Sequence, residues 1–219
     1  HDARDIQRFR REARAAAHLR GEHVVRVLDV GVLAGDRPFL VMERIDGVDL
    51  GTKLDAEGPL PAGVAVDLVL QACEGLAEAH GLGVVHRDLK PSNLLLTARP
   101  DGSALLKISD FGIAKWASGP ATKLTTTADF LGSPKYMSPE QVREASDVDA
   151  RADVWSLGVT LYQLVTARLP FEAYTTAGVL AAITADDPVP PTTHAPELDP
   201  ALEAVILRCL AKKPEGRPR

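Results

Sequence analysis

An α+β fold follows from three features of this 219-residue chain. Short β-rich runs come first and helical periodicity dominates afterwards. No regular strand–helix alternation marks a parallel sheet, and no internal repeat is present. The bulk chemistry agrees with one large domain or one and a half: 45% hydrophobic and 25% charged residues are ordinary for a globular protein. The net charge of −5 argues against a protein that holds nucleic acid on a basic surface. Cys73 and Cys209 are too few for a disulfide framework or a thiolate metal site, so a reducing compartment is expected. No window approaches about 18 uninterrupted apolar residues, so no membrane span is expected within the chain. It opens at His1, directly in a helical pattern with no signal peptide, and so reads as a fragment.

Taken in order, residues 4–20 place Ile6, Phe9, Ala13, Ala16 and Leu19 on one face of an Arg- and Ala-rich helix that Gly21 closes. Val24–Val32 and Arg37–Arg44 are β-rich runs around Ala34-Gly35-Asp36, an expected antiparallel pair. Helical spacing returns from Pro61 to His80. Leu94–Leu96 and Leu105–Ile108 then flank Pro100-Asp101-Gly102, a hairpin signal. Residues 115–138, rich in Thr, Ser, Gly and Lys, form a long loop, and such loops in compact domains are usually functional. Helices are expected over 151–167, 175–185 and 200–211, interrupted by the Pro-rich stretch 187–200. Val154, Trp155, Leu157, Val159, Leu161, Leu164 and Val165 surround the first of these helices, the mark of a buried one.

The hairpin concentrates the chemistry. Asn93 and Asp110 sit symmetrically about its turn and should lie side by side at its open end, with Asp88 delivered there by the preceding loop. Hard oxygen donors beside Lys90 suit Mg²⁺ and phosphate better than a softer metal. Read alone, the same residues equally suit an Asx-rich turn with caps.

The order His86-Arg87-Asp88-Leu89-Lys90-Pro91-Ser92-Asn93, then Asp110-Phe111-Gly112, then Ser138-Pro139-Glu140 resembles the protein-kinase signature set. The resemblance runs from residue 4 to Arg217. Lys90, two residues after Asp88, is similar to the serine/threonine branch, and the flanking wording is similar to bacterial kinases of the eukaryotic-like (Hanks) type. The resemblance implies a two-lobed fold: the remainder of a small β-rich N-lobe at 1–45, and a mainly helical C-lobe at 46–219 with catalytic loop 86–93 and activation segment 110–140. It implies transfer of the γ-phosphoryl of ATP, with Mg²⁺, to Ser/Thr hydroxyls of protein substrates. Asp88 would accept the hydroxyl proton, Lys90 would offset charge on the phosphoryl, and Asn93 and Asp110 would hold the metal. Met42, Glu43 and Ile45 would form the adenine hinge, Asp49 would bond ribose, and Leu95 joins Lys90 and Asp110 among the nucleotide-binding residues.

Further roles are implied residue by residue. His86 would pack as a core histidine beneath Phe111. Arg87 would pair with a phosphorylated loop residue, for which Thr125, Thr126 and Thr127 are the candidates. Glu12 matches the helix glutamate that pairs with an N-lobe lysine. Asp153 would bond backbone amides of the catalytic loop, an ordinary N-cap being the alternative, and Glu140 would pair with Arg217. Ser133 and Ser138 stand where the family more often has threonine and alanine.

No glycine-rich phosphate loop and no third-strand lysine precede Glu12, so residues 1–219 alone are expected to be inactive, with an unpaired edge along Val24–Val32 and Val41–Ile45. The resemblance also admits a kinase–kinase dimer, a cytoplasmic site for this domain, and a membrane anchor in a longer parent. Among rival readings, a hydrolase elbow fails at Val154-Trp155-Ser156-Leu157-Gly158, where Val154 replaces the first glycine. A small-molecule phosphotransferase would not carry Lys90 together with the 133–140 segment. A binding module without activity is the alternative of another class, against which intact Asp88, Asn93 and Asp110 speak.

Overall fold

The computed structural model describes residues 15–34, 37–111, 133–143 and 148–218. Glu12, Thr125, Thr126, Thr127 and most of the expected first helix lie outside the described residues.

Residues 15–18 form a helical turn whose following amides are satisfied by a side chain: Glu78 accepts from Arg20 N–H at 2.7 Å and from Gly21 N–H at 2.9 Å. A Cβ on Gly21 would lie 2.4 Å from Glu78 Oε2, so a larger residue here would have to displace this carboxylate. β1 (Val27–Leu33) and β2 (Arg37–Met42) pair antiparallel from Leu33↔Arg37 to Val27↔Met42, with a bulge between Val27 and Asp29. The expected strand beginning at Val24 is therefore divided. Its first residues leave β1 and join a second sheet, where Val25 N–H donates to Ile108 O and Ile108 N–H donates to His23 O, each at 2.9 Å. At its start this run thus has a backbone partner in place of the expected unpaired edge.

The second sheet has the order β3 (Val48–Asp49), β4 (Leu94–Ala98), β5 (Ala104–Ile108). Two elements between β2 and residue 62 escape hydropathy reading because they are short: β3, and α1 (Leu50–Glu57), which buries only Leu50 and Leu54. α2 (Ala62–Gly81) buries Ala65, Leu68, Ala72, Gly75, Leu76 and Ala79 along one face. It lies so close to the crossing segment that a Cβ on Gly75 would stand 2.8 Å from His23 O.

α3 (Pro139–Val142) is a single capped turn, and α4 (Arg151–Thr166), α5 (Thr176–Ala185) and α6 (Pro200–Cys209) follow. α4 is buried around its whole circumference, with Trp155, Tyr162 and Leu164 among the least exposed side chains. Trp155 stacks on Phe171 at 5.7 Å between centroids. The hydrophobic core joins α2, α4, β4, β5 and α6 and supports, from below, the loop between α2 and β4. Among the described residues, no helix is long and apolar enough to cross a membrane.

Candidate active site

The loop from His86 to Asn93 leaves α2 and enters β4, and its shape is imposed by side chains from elsewhere in the chain. Asp153, in the first turn of α4, is fully buried. Its Oδ2 accepts from His86 N–H and from His80 Nε2, and its Oδ1 accepts from Arg87 N–H, all at 2.8 Å. The N-cap position of α4 belongs to Ala150. Asp153 thus caps a distant loop, while the first amide of its own helix, Arg151 N–H, donates to Asp149 Oδ1 at 2.9 Å. His80, in the last turn of α2, completes this cluster; nothing in the sequence signals a partner 73 residues away.

His86 is fully buried with its ring 4.9 Å from that of Phe111. Its Nδ1 accepts from Asp88 N–H at 3.2 Å, which leaves Nε2 to carry the proton and donate to Ser109 O at 2.9 Å. Both contacts suit a neutral ring. Burial pushes the His86 pKa below its ordinary value, against the pull of Asp153, Asp88 and Asp110 in the opposite direction.

Asp88, Lys90, Asn93 and Asp110 come together at the open end of the β4–β5 hairpin. Lys90 Nζ is 3.2 Å from Asp88 Oδ2, and Asn93 Nδ2 donates to Asp88 O at 2.8 Å. The hairpin register is offset by one from the sequence expectation. Leu94 pairs with Ile108, so Asn93 faces Ser109, whose N–H donates to Asn93 O at 2.9 Å. Asp110 is the next residue, solvent-exposed, and its Oδ2 accepts from Ser109 Oγ at 3.2 Å. The loop around Asp101 is one residue tighter than assumed, with Gly102 N–H returning to Arg99 O at 2.9 Å.

Two non-glycine residues at the site hold left-handed backbone, Arg87 at φ 64° and Asp110 at φ 57°. Such conformations cost about 1–2 kcal/mol for an L-residue and persist where neighbours over-determine them. At Arg87 both sides are held, the N–H by Asp153 and the carbonyl by Gln141 Nε2 at 2.8 Å. The Ser138-x-x-Gln141 spacing signals a capping box, which is present, but not this second use of the amide.

The remaining expected residues lie around this loop and hairpin. Met42 faces a small apolar recess that Leu19, Val27, Leu40, Asp110 and Phe111 also line. Glu43 uses its N–H on Arg26 O at 3.0 Å, and its Oε1 accepts from Arg26 N–H at 2.9 Å and Lys107 Nζ at 2.7 Å. Partial burial works to raise its pKa, but Lys107 and the Arg26 amide outweigh that and lower it. Ile45 is half-buried just before β3. Asp49 pairs with Leu95 across the β3–β4 ladder. Its two oxygens cap α1 by accepting from Thr52 N–H at 2.9 Å and Thr52 Oγ1 at 2.7 Å.

Glu140 and Arg217 form a two-pronged pair, Nη1–Oε1 at 2.7 Å and Nη2–Oε2 at 2.8 Å. The Arg217 side chain is fully buried and also donates to the carbonyls of Arg151 and Ala211. Burial tends to raise the Glu140 pKa, yet Arg217 holds it below the ordinary glutamate value.

The loop and the hairpin end thus gather Asp88, Lys90, Asn93 and Asp110 above the buried Asp153. A family model described as protein kinase domain matches residues 1–219, and the chain belongs to that family. It is 43% identical to "Serine/threonine-protein kinase pkn3" of Myxococcus xanthus over 223 residues, covering 99% of this chain. It is 41% identical to "Serine/threonine-protein kinase PknB" of Mycobacterium leprae over 213 residues, covering 96% of this chain. It spans 40% and 33% of the lengths of those two proteins. Among solved structures, the PknI kinase domain of Mycobacterium tuberculosis superimposes with a TM-score of 0.75 at 28% identity, covering 99% of this chain and 75% of that one.

Proposed function

We propose that this chain is the catalytic region of a bacterial serine/threonine protein kinase that transfers the γ-phosphoryl of ATP to protein hydroxyls. The observation that carries the reading is the convergence of Asp88, Lys90, Asn93 and Asp110 on one end of one hairpin, with Lys90 Nζ 3.2 Å from Asp88 Oδ2. Phosphoryl transfer depends on positioning and charge stabilisation more than on covalent chemistry by the protein. Asp88 orients the substrate hydroxyl and accepts its proton as the oxygen attacks the γ-phosphorus. Lys90 faces the negative charge of the transferring group while the β–γ bond breaks and ADP leaves.

The donor set fits Mg²⁺. Asn93 directs its amide nitrogen to Asp88 O, which leaves its oxygen as the ligand atom, and Asp110 adds an exposed carboxylate. Two protein oxygens completed by phosphates and water suit a small hard ion. When bound, the ion neutralises charge on the nucleotide phosphates. The remaining roles rest on the family resemblance: Met42, Glu43 and Ile45 line the adenine site, with Glu43 contributing its carbonyl because its amide is used on Arg26. Asp49 and Leu95, neighbours across the ladder, face the sugar side. We assign residues 1–45 to the small lobe and 46–219 to the large lobe. We assign the domain to the cytoplasm, where ATP is available, with proteins bearing Ser/Thr acceptors as substrates.

The test uses the full-length protein, γ-labelled ATP and a generic Ser/Thr protein substrate. Asp88→Asn should lower kcat by about 10²–10⁴-fold with ATP affinity largely unchanged, because the base acts on the hydroxyl. Equal incorporation by wild type and Asp88→Asn would remove Asp88 from the chemistry.

A further inference from the structure

The peptide group joining Arg87 to Asp88 is gripped at both ends. Its N–H, from Asp88, donates to His86 Nδ1 at 3.2 Å, and its carbonyl, from Arg87, accepts from Gln141 Nε2 at 2.8 Å. This peptide sets the direction in which Asp88 leaves the backbone. It follows a left-handed arginine at φ 64°, a conformation that an L-residue keeps only when it is anchored. The His86 grip is internal to the loop. The Gln141 grip comes from α3, 54 residues away, at the end of the segment that joins the activation loop to the large lobe.

Gln141 divides its amide between two tasks. Its Oε1 accepts from Ser138 N–H at 3.0 Å and Ser138 Oγ at 3.2 Å, which closes the capping box of α3. A glutamate would do that equally well, since capping boxes use either residue. The bond to Arg87 O needs a donor, and only the amide supplies one. The neighbouring Glu140 is meanwhile locked to buried Arg217. One turn of helix is thus fixed to the core by one side chain and bonded to the loop by the next.

We propose that Gln141 is a positioning residue for Asp88, acting through the Arg87–Asp88 peptide. The seating of residues 133–143 then becomes a condition for catalytic geometry. This rests on the assignment of Asp88 as the base. It makes the two faces of α3 unequal: the cap matters to stability, the Nε2 donor matters to turnover.

The experiment compares wild type, Gln141→Glu and Ser138→Ala in the full-length protein. Gln141→Glu keeps the cap but sets an acceptor against Arg87 O. It should lower kcat by about tenfold to a hundredfold, the scale of a small misplacement at a reacting centre, with the KM for ATP within about twofold of wild type. Lowering the pH towards the glutamate range protonates that carboxyl, restores a donor, and should narrow the activity gap to wild type. Ser138→Ala weakens the cap and leaves the donor in place, so it should lower Tm with kcat unchanged. Amide hydrogen exchange across residues 86–90 should rise in Gln141→Glu and not in Ser138→Ala. Unchanged kcat in Gln141→Glu, or an equal loss in Ser138→Ala, overturns the proposal. A wild type without ATP-dependent phosphorylation refutes the kinase assignment instead, and unchanged exchange in Gln141→Glu then refutes the tether itself.

Discussion

Replacing Asp153 by alanine should destabilise the helical core and disorganise the loop at residues 86–93 at once. The carboxylate is inaccessible to solvent and accepts three hydrogen bonds of 2.8 Å, from His80 Nε2, His86 N–H and Arg87 N–H. Alanine leaves the two amides without an acceptor, and water has no ready path to the His86 amide. A buried donor left unsatisfied costs about 1–3 kcal/mol. The Arg87 amide is only part-buried and belongs at the low end, so roughly 2–4 kcal/mol is expected for the pair. A domain of this size loses about 2–4 °C of Tm per kcal/mol, which gives a fall of roughly 4–16 °C. Asp153→Asn keeps one acceptor oxygen and should fall between wild type and alanine. Differential scanning calorimetry of the three proteins, with kcat measured on the same samples, is the assay. A melting point for Asp153→Ala within about 2 °C of wild type would show that the amides find other partners and refute this reasoning.

Two further outcomes are expected. Arg217→Met strands Glu140 and should cost about 3–5 kcal/mol at neutral pH, as for other broken buried pairs. Because Arg217 lowers the Glu140 pKa, the pair contributes stability above the ordinary value of 4.5, and that contribution is lost as pH falls through the lowered folded value. Urea midpoints of wild type and Arg217→Met should therefore converge in acid, and a gap that is constant from pH 7 to pH 3 would contradict the pairing. Thr125, Thr126 and Thr127 are proposed sites of activating phosphorylation, each modification adding nearly two negative charges that the Arg87 guanidinium can face. Phosphopeptide mapping of active protein in which residues 122–133 are unmodified would exclude them.

Much of this protein is legible in its sequence because the informative residues are contiguous. Asp88, Lys90 and Asn93 lie within one loop, so their spacing survives any error about the surrounding fold. Helix α4 is recognisable because apolar residues around a full circumference have one physical solution, burial. The expected and observed bounds of α2 differ by a residue at each end for a similar reason: its apolar face is long and periodic, and Pro61 and Gly81 mark its limits.

What the sequence leaves undecided is which groups meet across the fold. Hydropathy shows which face of an element is buried, but it says nothing of what that face touches. The split of the Val24 run between two sheets depends on the free edge of β5, which becomes visible only once the hairpin is in place. The one-residue offset that sets Asn93 opposite Ser109 depends on the tightness of the Asp101 loop, and alternation alone cannot count loop residues. Asp153 could be read as a cap for its own helix or as an acceptor for a loop 66 residues away, since a carboxylate in a first turn satisfies either description. Packing α2 beside α4 decides between them, by bringing the amides of His86 and Arg87 and the ring of His80 to the same two oxygens. The reach of Gln141 to Arg87 is decided in the same way. A hydrogen bond is specified by the position of both partners, and for residues distant in the chain that position exists only in the folded protein.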